Sequence, residues 1–358
     1  MLCWSFPTSH ARSALMNHKL SFGRPLAVAV AFCLTAALAT APAVAGPFDS
    51  LTVFGDSLSD SGNNAAAGLF NPLQVVTGNT YVPSDTYAPA MTYSNGPVWA
   101  TSFASSIGLT LAPSLLGGSN YAFGGATTGT PGPGAGGFPY SLLAQANQFL
   151  LASGGAASPN GLYVIAGGGN NARAALEAIG GGANFFTTAA ATASAFASDV
   201  GSIVDSLQSA GAAHILVWNT PNLGLTPAVQ ATGFGAAGSF LASIMNDALS
   251  ARLAGEAGVS TFDIFGFGTQ AAAMPAAFGF TNVSDACGAV AAAVCSSYLY
   301  WDGIHPTAAA HAAIAAAVFA VAIPEPETYA LMLLGLASLG WHARRRAARR
   351  PVAAAAAR

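Results

Sequence analysis

The chain has 358 residues, 53% of them hydrophobic and only 7% charged, with 11 Lys and Arg against 14 Asp and Glu. Residues 46–323 hold two cations, Arg173 and Arg252, against twelve acids, a net charge of −10. Such a surface repels a phosphate backbone and excludes nucleic acid as a partner.

At the N-terminus, Lys19 and Arg24 precede the apolar stretch "LAVAVAFCLTAALA", and Ala43-Val44-Ala45 precedes Gly46. This positive, apolar, A-x-A order reads as a secretory signal peptide over residues 1–45, with Met16 as an alternative start. An uncleaved membrane anchor competes with that reading, and the A-x-A triplet argues against it. The remaining segment, 46–323, suits one domain of α/β size.

Within it, "LTVF" at 51 reads as a short buried strand that meets a Gly55-Asp56-Ser57 turn. Read by itself, Ser57 is an ordinary turn serine. Trp99, Phe103 and Ile107 have helical spacing. "NYAFGGATTG" puts Gly124 and Gly125 in a turn where a backbone N–H can approach a substrate without a Cβ in the way. The Gly/Pro-rich "TGTPGPGAGGFP" reads as a surface loop. "LYVIAG" at 162 is a second strand, running into glycines and then Asn170 and Asn171. Further on come a helical pattern at Phe196, Val200, Ile203, Val204 and Leu207, a strand "HILVWN" at 214, a helix over 240–253 and a strand "VSTFDIF" at 259. An Ala-rich helix follows, with Pro306 as its expected first residue and an end near Ala322. Strands separated by helices predict a mostly parallel sheet covered on both faces. Chemistry in such sheets collects at the carboxyl ends of the strands, where Ser57 sits.

Cys3 and Cys33 belong to the leader, which leaves Cys287 and Cys295. An even pair in an oxidising compartment is a disulfide candidate, with two buried thiols as the alternative. There is no H-E-x-x-H and no C-x-x-C, so no zinc ligand set is visible and no metal is expected. Gly132, Gly134 and Gly137 fit G-x-G-x-x-G but are interrupted by Pro131 and Pro133. Gly266, Gly268 and Ala271 fit the looser G-x-G-x-x-A form without any other dinucleotide feature. No cofactor is expected. The G-x-S-x-G elbow is also absent.

A nucleophilic serine needs a base. His214 begins a strand, at the end away from Ser57, and His311 reads as a helix-surface residue. His305 lies in "YWDGIHPT" just before the last helix, with Asp302 three residues earlier. A carboxylate at that distance can hold one ring nitrogen and leave the other to face a serine. The glycine turn at 124–125 and an amide of Asn170 or Asn171 could then donate to an oxyanion.

Gly-Asp-Ser-Leu at 55–58, the glycines of "NYAFGGATT", the asparagine of "GGNN" and D-x-x-H at 302–305 occur in the order of the four blocks of the GDSL, or SGNH, esterase/lipase family, which the chain resembles over about 51–322. The resemblance implies a flavodoxin-like three-layer α/β/α sandwich with a mostly parallel sheet, and ester hydrolysis through an acyl-enzyme. It implies Ser57 as nucleophile, His305 as base, Asp302 as its partner, and an oxyanion hole from the N–H of Ser57, the N–H of Gly125 and the side chain of Asn170. Gly124 is the alternative register for the second donor. Where the family often reads Gly-x-Asn-Asp, this chain has Asn171. Asp56 and Asp60 are expected to be turn residues that accept local backbone N–H bonds. Two other readings remain: deacetylation of a polysaccharide on the same site, and a non-catalytic surface or matrix protein that keeps the fold.

The chain ends in Pro324-Glu325-Pro326, an apolar run over 328–341 and five arginines within 344–350. The run is shorter than the ~20 residues of a comfortable membrane span, and the arginines favour leaving that end in the cytoplasm. The arrangement over 324–358 resembles the PEP-CTERM sorting signal, which implies transient membrane association, an exosortase-type processing enzyme as partner, and export to the surface, the outer membrane or the medium of a Gram-negative bacterium.

Overall fold

The computed structural model describes residues 47–80, 85–323 and 326–348. The leader, Pro324, Glu325 and residues 349–358 lie outside the described residues. The elements are β1 (Ser50–Gly55), α1 (Asn63–Ala66), α2 (Trp99–Ser106), α3 (Leu142–Ala152), β2 (Gly161–Ala166), α4 (Gly169–Gly180), α5 (Phe185–Ser209), β3 (His214–Trp218), α6 (Pro227–Ala231), α7 (Gly235–Leu253), β4 (Val259–Phe262), α8 (Ile264–Ala273), β5 (Asn282–Ala286), β6 (Tyr298–Tyr300), α9 (Ala308–Ala322) and α10 (Pro326–Ala348).

Strands β1 to β4 pair side by side in that order, all parallel. Side chains alternate across the sheet, as a two-residue period demands. Phe54, Tyr163, Ile165, Ile215 and Val217 point into one core with α3, α4, α5 and α7. Val53, Leu162, Val164, Leu216 and Trp218 point into the other with α2 and α9. Both faces are therefore buried, which is why these strands read as apolar runs and not as alternating ones. The result is a three-layer α/β/α sandwich.

The free edge of β1 is covered by the chain around Asn120. Val53 N–H donates to Ser119 O (3.1 Å), Tyr121 N–H to Val53 O (2.8 Å) and Phe123 N–H to Gly55 O (3.2 Å). With β1 this segment forms a single parallel bridge, Val53 with Asn120, so it behaves as a very short fifth strand. Its consequence is positional. The chain leaves the sheet at Gly124 on the same rim where β1 ends at Gly55 and β2 at Ala166.

Two sequence readings shift. The strand at 259 stops at Phe262, because the Asp263 side chain accepts the Gly266 N–H (2.8 Å) and starts α8. The glycines at 266 and 268 therefore lie inside a helix and not in a phosphate-binding turn. The last helix begins two residues later than expected. Thr307 caps α9 by accepting the Ala310 N–H (3.1 Å), and Pro306 stands before the cap. Among the described residues, no helix is long and apolar enough to cross a membrane.

Candidate active site

Gly55 closes β1 because nothing larger fits: a Cβ there would sit 2.6 Å from the Ala166 carbonyl oxygen of β2. The buried amide of Gln145, from α3, clamps this residue by accepting its N–H (2.8 Å) and donating to its carbonyl (2.9 Å). The chain then turns. The Asp56 carbonyl accepts the N–H groups of Ser59 and Asp60, both at 3.0 Å, and its carboxylate accepts that of Leu58 at 3.0 Å. Ser57 sits at the apex of this turn, its hydroxyl facing the cleft.

Asp60 is a turn residue as expected, but it also reaches further. Its carboxylate accepts the N–H groups of Gly62 (2.8 Å), Asn63 (2.6 Å) and Asn64 (3.2 Å), and also that of Gly124 (3.0 Å). One buried carboxylate thus joins the serine turn to the glycine turn 64 residues away. Burial pushes both Asp56 and Asp60 up to about 6, with the backbone donors pulling each back. Asp60 thus occupies the Gly124 N–H, while that of Gly125 is left to other partners. Gly125 adopts the left-handed conformation (φ 83°). Among the described residues, no protein acceptor takes its N–H or that of Ser57.

Asn170 lies in the first turn of α4, buried, with its Nδ2 donating to Ala126 O (2.9 Å). An amide nitrogen has two hydrogens, so one remains for a ligand beside Ser57. The neighbouring Asn171 holds the same loop from below. Its Oδ1 accepts the Thr128 N–H (3.1 Å) and its Nδ2 donates to Thr128 Oγ1 (2.9 Å), which itself donates to Asp199 (2.7 Å). The amide is the form that suits this chain: a carboxylate at 171 would compete with Asp199 for one hydroxyl hydrogen.

His305 and Asp302 come from the loop between β6 and α9. His305 Nε2 stands 2.8 Å from Ser57 Oγ, and its Nδ1 stands 2.7 Å from Asp302 Oδ2. The carboxylate accepts, so Nδ1 carries the hydrogen and Nε2 presents its lone pair to the serine. Asp302 Oδ1 accepts the N–H groups of Ile304 (2.8 Å) and His305 (2.7 Å), which fixes the carboxylate against its own loop. Both side chains are almost fully buried.

Two tyrosines that sequence reading did not single out complete the surroundings. The buried Tyr87 hydroxyl donates to Asp302 Oδ2 (2.8 Å). The Tyr93 ring lies against His305, with centroids 5.2 Å apart, and Asn64 Nδ2 donates to its hydroxyl (2.6 Å). Both come from the long segment between α1 and α2, whose irregular sequence carries no periodicity from which a position could be read. The Cys287–Cys295 pair forms a disulfide (Cα–Cα 5.5 Å) between β5 and β6, just upstream of the histidine loop.

Of the other histidines, His214 is exposed at the amino end of β3, with its ring against Phe48. His311 corrects the sequence reading. It is buried, not on the helix surface, and its Nδ1 accepts the Trp99 N–H (3.2 Å), one of the donors left open at the start of α2. In an Ala-rich helix no face stands out as apolar, so nothing in the spacing marked its side as inward. Burial drives its pKa down to about 3, with the charge of His305 adding to the effect.

An α/β/α domain with a Ser–His–Asp relay at its strand ends defines a recognisable class of protein. The GDSL-like Lipase/Acylhydrolase family matches residues 51–318, and the PEP-CTERM protein-sorting motif matches 322–346. The chain belongs to the GDSL-like lipase/acylhydrolase family, a family of carboxylic-ester hydrolases. The C-terminal motif indicates export and sorting in Gram-negative bacteria and implies exosortase processing. The chain is 27% identical over 265 residues to an uncharacterized protein of the trpE-trpG intergenic region of Pseudomonas putida, covering 70% of this chain and 41% of that one. It thus spans about two fifths of the length of this curated relative. Among solved structures, Est24, a carbohydrate acetylesterase from Sinorhizobium meliloti, is 15% identical with a TM-score of 0.42, covering 75% of this chain and 95% of its own. The M. smegmatis aryl esterase is 19% identical with a TM-score of 0.37, covering 76% and 99%.

Proposed function

We propose that this chain is an exported serine esterase that cleaves carboxylic esters through an acyl-enzyme. The observation that carries the reading is the continuous relay from Ser57 Oγ through His305 to Asp302, at 2.8 and 2.7 Å. In this reading Ser57 Oγ attacks the ester carbonyl carbon while His305 Nε2 takes its proton. The N–H groups of Ser57 and Gly125 and the Asn170 amide stabilise the oxyanion. The bond to the alcohol oxygen then breaks, and His305 returns the proton to the leaving alkoxide. Water attacks the acyl-enzyme by the same route, His305 accepting its proton, and the acid leaves as Ser57 regains its hydrogen. Asp302 holds the ring in the required tautomer and stabilises the imidazolium.

The domain layout that goes with this reading is a leader over 1–45, a catalytic domain over 46–323 and a sorting tail over 324–358, with release to the surface or medium after the tail is cut. A fluorophosphonate probe tests the chemistry directly. It should label the intact chain on the peptide carrying Ser57 and leave Ser57→Ala unlabelled. A folded wild-type chain that neither labels nor turns over p-nitrophenyl acetate would refute it.

A further inference from the structure

The cleft at Ser57 shares a wall with a second cavity, about 260 Å³ against about 90 Å³ for the cleft itself. Arg173, Leu223 and Ile304 line both. Ile304 precedes His305, and Arg173 follows Asn170 by one turn of α4, so the wall belongs to the loop and helix that carry the relay and the amide. Beyond it the second cavity is bounded by Leu176, Val229 and Phe234. Its charged members, Arg173 and Glu177, pair with each other at 2.8 Å. Its other polar side chain, Thr232, donates its hydroxyl to Val229 O (2.7 Å), so what this space offers a ligand is mainly alkyl and aromatic surface. A sugar would leave most of its hydroxyls without partners there, whereas a hydrocarbon chain needs none.

We propose that the second cavity receives a hydrocarbon chain attached to the ester, which makes the preferred substrates esters of medium-length chains and not acetylated sugars. The inference rests on the ester-hydrolase reading above and adds the substrate class. Each methylene drawn from water into such a site is worth ~0.8 kcal/mol, about fourfold in specificity.

Gly180 provides the test. It lies at the end of α4 on the cavity wall, and a Cβ there meets only the tip of the Phe234 ring, at 3.9 Å. Gly180→Leu therefore fills the cavity without striking backbone, and leucine suits a helix better than glycine does. On p-nitrophenyl esters, wild-type kcat/KM should rise from acetate to octanoate. Gly180→Leu should lower octanoate turnover at least tenfold and acetate turnover less than twofold, while Phe234→Ala should move the optimum to longer chains. If the rise and its loss in Gly180→Leu occur instead along a series of acetates from ethyl to octyl, the cavity holds the alcohol chain, which also supports the proposal. A flat response in both series, or an equal loss on acetate and octanoate, overturns it. Calorimetry of methyl octanoate with Ser57→Ala needs no turnover and separates the two readings. Binding that Gly180→Leu removes upholds the cavity even if the wild type hydrolyses nothing, an outcome that would refute only the hydrolase reading. No binding overturns the inference.

Discussion

Asp302 receives four hydrogen bonds, from His305 Nδ1, two backbone N–H groups and Tyr87. Removing the Tyr87 hydroxyl leaves the other three, so Tyr87→Phe should lower kcat several-fold with KM unchanged, a smaller loss than in Asp302→Asn. Loss of a hydrogen bond to a carboxylate should also cost about 1.5–3 kcal/mol in urea denaturation. Ser57→Ala and His305→Ala should each abolish turnover, and the losses should not add, because the residues act as one unit. His214→Ala should retain activity, since that ring lies at the opposite end of the sheet. His311 bears on pH and stability. Its pKa falls from 6.5 to about 3 on folding, so the unfolded chain takes up the proton first. The stability that its neutral form contributes is complete above about pH 6.5 and is lost as pH falls toward 3. His311→Asn keeps an acceptor for the Trp99 N–H and removes that titration. Its stability relative to wild type should improve by a few kcal/mol across this window, and a constant difference in urea titrations would contradict the assignment.

Among the elements, the junction of α4, the glycine loop and α5 is the informative one. Thr128 Oγ1 lies between Asn171 and Asp199 and has one hydrogen to give. Asn171→Asp, which restores the residue common in the family, should therefore destabilise this chain by about 1 kcal/mol and slow turnover through the loop that carries Gly125. Asp199→Asn in the same chain should recover both, and a double-mutant cycle in kcat and denaturation midpoint measures the coupling. The Cys287–Cys295 bridge spans only 8 positions, so its contribution through chain entropy is modest, about 2–3 kcal/mol. Replacing both cysteines by serine should lower the midpoint by that amount. It should also loosen β6, which feeds directly into Trp301 and Asp302. Peptide mapping without reductant that finds two free thiols in exported protein would count against this.

For the whole molecule, the charge balance and the ends matter most. In its native host, the mature protein should begin near Gly46 and lack the arginine-rich end. Intact mass is the check: residues 341–350 still attached in that host would contradict processing at the Pro-Glu-Pro tail.

Much of this architecture was legible in the chain, and the reason is local. Parallel strands buried on both faces must be short apolar runs, so "LTVF", "LYVIAG" and "HILVWN" announced themselves. The Asp302–His305 pair was readable because D-x-x-H needs only one loop to bring its two members together, whereas Ser57 read by itself was an ordinary turn serine. Gly125 over Gly124, and Asn170 over Asn171, could be chosen only from the order of motifs. Their common rim depends on which strands are neighbours, and the one bridge from Asn120 to β1, just before Gly125, is too short to leave a pattern. Tertiary contact alone decided the rest. Tyr87 reaches Asp302 across 215 positions, Asp60 reaches Gly124 across 64, and His311 turns inward to meet Trp99 across 212. A hydrogen bond between distant residues imposes no spacing on either, so only folding brings such partners together.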